Sequence, residues 1–142
     1  LNKTTKEYLK QTFKLDVEIN TLIETVESLE ASATKVTTIL DPNKVGSGSF
    51  NIDSREQTIV KMCDLKNKIN QKIDELVDLK SNVYEQIAKI DNSDYRLLLT
   101  LRYVNLKSFE EIAVLMNYTY RHITRLHGNA LQYFEKMSYD VL

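Results

Sequence analysis

Apolar residues recur at alternating intervals of three and four along the first third of the chain: Leu15, Ile19, Leu22, Val26, Leu29, Ala33, Val36 and Leu40, with Tyr8 ahead of them. That alternation is the seam of one helix face packing lengthwise on another helix. Thr12 is the one polar intruder near its start. The run predicts a helix of roughly 35 residues, about 50 Å long at about 1.5 Å per residue. Phe13, Ile23 and Ile39 widen the stripe beyond a bare two-stranded seam, so more than one packing partner is expected.

A second run, Ile59, Met62, Ile69, Ile73, Leu76, Val83, Ile87 and Ile90, continues the same spacing. Lys66 and Lys80 stand where the seam wants apolar residues, and Leu65, Val77 and Leu79 lie alongside to compensate. Asp53 or Ser54 offers an N-cap for this helix. Two helices of matched length predict a long antiparallel hairpin over residues 1–91. Its surplus apolar width predicts a homodimer held through residues 4–90. Between the helices, Asp41-Pro42 stops the first, and NKVGSGSFNID reads as a flexible connection of about a dozen residues.

Asp91-Asn92-Ser93-Asp94 breaks the pattern and can cap a third helix, YRLLLTLRYVN, whose supporting face is Leu97, Leu98, Leu101 and Tyr103 or Val104. Beyond it, SFEEIAVLMNYTYRHITRLHG gives two short helices broken at Met116-Asn117-Tyr118. Ser108 with Glu111 three residues on is a capping box, and Thr119 caps the next helix. Ile112, Ala113, Met116, Tyr118, Ile123 and Leu126 have the spacing of the inward positions of a helix-turn-helix. Ala113 is small where the two helices cross, and Asn117 tolerates a left-handed turn. The outward positions, Tyr120, Arg121, Thr124, Arg125 and Gly128, would face a DNA major groove. The plainer alternative is an ordinary helical hairpin inside an all-helical domain. The last helix is expected to run from Thr119 to about Met137, with Gly128 marking either a close approach or a bend.

One Pro and three Gly in 142 residues support an all-α fold of long helices. The expected organisation is a dimerising hairpin over 1–91 and a three-helix module over 92–142. The net charge of −1 changes the functional picture, because no global basic excess draws the chain to nucleic acid. Residues 1–91 carry 13 basic and 15 acidic side chains, and residues 92–142 carry 6 and 5. DNA affinity therefore has to come from local placement and from two copies of the module. Cys63 is the only cysteine, so no disulfide forms within the chain, which fits a reducing cytoplasm. No run of about twenty apolar residues and no signal-like start is visible, so no membrane partner is expected.

Candidate chemistry removes more than it adds. His122 and His127 are five apart, not the four of a helical metal pair, and no second ligand cluster accompanies them or Cys63. Both histidines read as surface or groove-edge residues. Glu110 and Glu111 are explained by capping and the helix dipole. The GSG of the connection lacks the Lys and length of a phosphate-binding loop. No nucleophile has a recognisable base, so neither an enzyme nor a cofactor or metal is expected.

Arg102-Tyr103, Ser108-Phe109-Glu110-Glu111-Ile112-Ala113, Leu115 through Thr119, Ile123 and Ala130-Leu131 resemble the region 4 domain of bacterial sigma factors over roughly the last 45 residues. That resemblance implies DNA contacts by Thr119, Tyr120, Arg121, Thr124 and Arg125. The family commonly carries more basic residues where this chain has Gly128 and Asn129. The whole layout resembles small phage and prophage proteins related to the ArpU and RinA type of late-gene transcriptional regulators. It implies binding to double-stranded DNA beside host RNA polymerase, and nothing in the first 91 residues resembles the sigma region that melts promoters. Two other readings stand beside it. A phage DNA-packaging small terminase subunit also joins a helix-turn-helix to a helical oligomerisation segment, and a helical interaction module could bind polymerase instead of DNA.

Overall fold

A computed structural model describes residues 3–39 and 50–140, with side chains over 5–33 and 54–138. Every regular element among the described residues is helical: α1 (Lys3–Ile39), α2 (Phe50–Ile87), α3 (Ser93–Leu99) with a π-helical turn (Thr100–Val104), α4 (Phe109–Met116) and α5 (Tyr120–Asp140). Residues 40–49, with Asp41-Pro42 and most of the expected connection, lie outside the described residues. The remainder of that stretch is already helix. Because α2 begins at Phe50, Asp53 and Ser54 stand inside its first turns and not at its N-cap.

Two compact units make up the chain. One comprises Leu1–Asp16 and Glu75–Leu142, the other Val17–Asp74. The unit that holds the C-terminal helices thus reaches beyond 92–142 and includes the opening turns of α1 and the last turns of α2.

Within Val17–Asp74, Ile19, Val26 and Ile69 are buried, while Ile59 and Ile73 of the expected seam are largely exposed. Lys72 Nζ meets Glu18 at 2.9 Å and Lys66 Nζ meets Glu30 at 3.1 Å. Numbers fall on one helix as they rise on the other, the order that antiparallel neighbours give. Lys66 interrupts the seam because its long stem carries its charge to a carboxylate across the pair.

The other unit has one continuous core, in which Leu9, Val83, Ile87 and Ile90 join Leu98, Leu99, Tyr103, Ile112, Ala113, Ile123, Ala130, Leu131 and Phe134. Leu9, not the predicted Tyr8, is the fully buried residue of α1 here, and Thr12 is fully buried too. Its hydroxyl donates to the Leu9 carbonyl at 3.0 Å, which satisfies the polar group inside the core.

Asn92 caps α3, its side-chain oxygen accepting from the N–H groups of Asp94 and Tyr95. Past Leu99 the helix widens into the π turn. Asn105 N–H bonds five residues back to Thr100 at 3.0 Å, and the residue this inserts rotates the rest of the turn. Leu99 is fully buried and Leu97 is 48% exposed, the reverse of the simple helical reading, while Tyr103 keeps its inward place. The chain leaves through Leu106, a non-glycine residue in the left-handed region at φ 55°, and reaches the start of α4.

Candidate nucleic-acid interface

Both helix starts that flank the candidate interface are built as the sequence predicts. Ser108 Oγ accepts from Glu111 N–H at 3.2 Å, and the Glu111 carboxylate accepts from Ser108 N–H at 3.4 Å. Thr119 Oγ1 accepts from His122 N–H at 3.1 Å. Between them Asn117 is left-handed (φ 57°, ψ 43°), and its N–H closes the last turn of α4. The caps fix where each helix begins, and the left-handed residue fixes the direction in which α5 departs. Ile112, Ala113 and Ile123 fill the space between the helices, with Met116 and Leu126 half-buried at its border.

Tyr118 departs from the inward set: it is 38% exposed, and its hydroxyl donates to Asp94 Oδ2 at 2.9 Å. That bond raises the Tyr118 pKa above its ordinary value, because the phenolate would face the carboxylate. The tyrosine ties the turn to the start of α3 instead of entering the core.

An open concavity is lined by Asn117, Tyr118, Thr119, Arg121, His122, Thr124 and Arg125. Four of the five sequence-predicted contact residues therefore share it. Thr119 is already committed to its cap, while Arg121 and Arg125 are exposed. The Thr124 hydroxyl donates to the Arg121 carbonyl at 2.9 Å. The fifth, Tyr120, turns to the side and packs edge-on against Phe109 at 6.5 Å between centroids, leaving its other half in solvent. His122 was not among the predicted contacts. Its ring stands edge-on to Tyr118 at 4.6 Å, and its Nδ1 accepts from Arg125 Nη2 at 3.1 Å. The three-residue spacing of His122 and Arg125 was the signal in the sequence.

His127 corrects the expectation of two surface histidines. Its Nε2 and the Tyr103 hydroxyl share a hydrogen bond of 2.8 Å, and its ring meets Phe109 at 4.9 Å. Burial, and then the charges of Arg102, Lys6 and Lys10, push its pKa down to about 4. Burial pushes the Tyr103 phenol up to about 12 against the opposing pull of Arg102. The Arg102 guanidinium lies over two rings, 4.5 Å from Phe13 and 4.2 Å from Phe109. It also donates to the Lys107 carbonyl at 3.0 Å. Gly128 shows no close approach within the fold, since an added Cβ would meet nothing within 4 Å.

Among the described residues no group of three or more His, Cys, Asp or Glu side chains is arranged to hold a metal ion, and no helix is long and apolar enough to cross a membrane. In comparison with known families, the model of a protein family of unknown function, DUF1492, matches residues 40–135. No curated protein and no solved structure matches the chain.

Proposed function

The chain belongs to the DUF1492 family of proteins of unknown function, and within that family we propose that it is a sequence-specific DNA-binding transcriptional regulator of phage or prophage type. The α4–α5 pair acts as a helix-turn-helix behind a long antiparallel hairpin that makes a homodimer. The observation that carries this reading is the exposed concavity at the start of α5. Arg121 and Arg125 line it on a helix that starts at the Thr119 cap, just after the left-handed Asn117 that ends α4. A helix presented in this way can enter a major groove with its first turns toward base edges. Arginine suits guanine edges and phosphates alike.

Near-neutral charge limits what one copy can do, because few cations release few counterions. Two linked copies raise the effective concentration of the second on a paired site. Host RNA polymerase is the second partner in this proposal, recruited from a neighbouring DNA site. Recovery of the DNA bound by the protein in cell extract, beside its mass by light scattering, tests the reading. One promoter region and a dimer are expected. A ring-sized assembly on a packaging site would favour the terminase reading, and polymerase without DNA would favour the interaction module.

A further inference from the structure

We infer that Lys6, Lys10 and Lys14, on the opening turns of α1, form a second DNA contact that grips the phosphodiester backbone beside α5. The inference rests on the DNA-binding reading of α4 and α5. The three lysines are spaced by four and exposed, so they share one face of the helix.

The packing of α1 shows which way that face turns. Leu9 and Thr12 are fully buried, and Phe13 beside them meets Tyr103 edge-on at 6.1 Å. Arg102 lies between Phe13 and Phe109, and Phe109 in turn touches both Tyr120 and His127. The Phe13 side of α1 is therefore the side toward the start of α4 and the Tyr120–His127 flank of α5. On a helical wheel Lys6, Lys10 and Lys14 lie beyond Phe13 at about 20°, 60° and 100°, each further from Leu9. They begin where the aromatic contact ends and continue outward. On α5, Tyr120 and Thr124 lead in the same way from the Phe109 contact to the exposed face. Lys6 and Lys10 also lie within electrostatic reach of His127, whose protonation they oppose together with burial and Arg102.

Charge supplies the chemistry. Residues 92–142 carry six basic side chains against five acidic ones, too small an excess for backbone binding. The opening turns of α1 carry Lys3, Lys6, Lys10 and Lys14 against Glu7 and Asp16. Lysines on flexible stems are point charges that suit phosphate oxygens and read no base pattern. The role assigned to α1 is therefore affinity without sequence preference, complementary to Arg121 and Arg125.

The test uses the full chain with Lys6→Gln, Lys10→Gln and Lys14→Gln combined, and a second version with all three changed to Arg. Each is titrated against a mixed-sequence duplex of about 30 base pairs at several salt concentrations. The Gln version is expected to lower the slope of log affinity against log salt by about 2 to 3, and the Arg version to keep it. Should the triple Gln variant melt early, Lys10→Gln alone is expected to lower the slope by about 0.9. An unchanged slope in the Gln version, with the native chain still binding the duplex, would overturn the role of α1 and leave the DNA reading intact. If the native chain binds no duplex, both readings fail together.

Discussion

The unit that holds the C-terminal helices and the unit of Val17–Asp74 are made of the same kind of amphipathic helix, yet they bury apolar surface differently. In the first, side chains from α1, α2, α3, α4 and α5 and from the π turn converge on one core, with Phe134, Leu98 and Ile123 almost wholly removed from solvent. In the second, the buried apolar residues described are Ile19, Val26 and Ile69, whereas Val17, Ile59 and Val60 are at least half exposed. Two helices can hide only the stripe each turns to the other. Several short helices crossing at steep angles enclose a volume. The contrast assigns the first unit a fold that stands on its own contacts. It leaves the second with apolar surface that the proposed dimer would cover.

Truncating the cores gives the largest contrast. Phe134→Ala should cost about 3 to 5 kcal/mol, and Ile69→Ala about 2, since water can reach the space that a paired stripe leaves. Denaturant titration with hydrogen exchange read residue by residue separates the two. Equal costs would erase the distinction between the units.

Acid sharpens it next. His127 titrates near its ordinary 6.5 when unfolded and at about 4 in the folded unit. The unfolded chain takes up the proton first, so stability is full above pH 6.5 and falls as pH drops from 6.5 toward 4. The loss is about 2 kcal/mol, reduced from the full shift because part of the ring meets solvent. It should flatten in His127→Gln, measured as the denaturation midpoint against pH. A pH dependence that survives this substitution would place its source elsewhere. Smaller still, Ser108→Ala should cost about 1 kcal/mol by removing a cap of α4, with faster exchange confined to the first turn of that helix.

How much of the fold was legible in the sequence depends on how local each cause is. The lengths of α1 and α2, the capping box of Ser108 and Glu111, the Thr119 cap and the left-handed Asn117 depend on neighbours within a turn, and all four appear in the fold. Leu9 in place of Tyr8, and the hidden Thr12, depend on α1 packing against elements far along the chain, which a heptad seam does not encode. Leu99 takes the inward place expected of Leu97 because the phase of the seven-residue α3 is set by the elements it packs against, which its own spacing does not encode. In the candidate site the two arginines were legible as outward positions. His122 had a signal only in its three-residue spacing from Arg125, and the inward turn of His127 had none, because it depends on ring contacts with Phe109 and Tyr103.

The proposal that α5 enters a DNA groove is tested most directly by a mobility-shift titration at fixed salt beside a melting curve for each of three variants. Arg121→Ala and Arg125→Ala should each lose about 1 to 3 kcal/mol of specific binding, with melting changed by no more than about 0.5 kcal/mol in stability. Ile123→Ala, at a fully buried position, should lower the melting temperature through a cavity costing about 2 to 5 kcal/mol. Normal DNA binding by both arginine variants would contradict the account and turn it toward polymerase as the partner of this face.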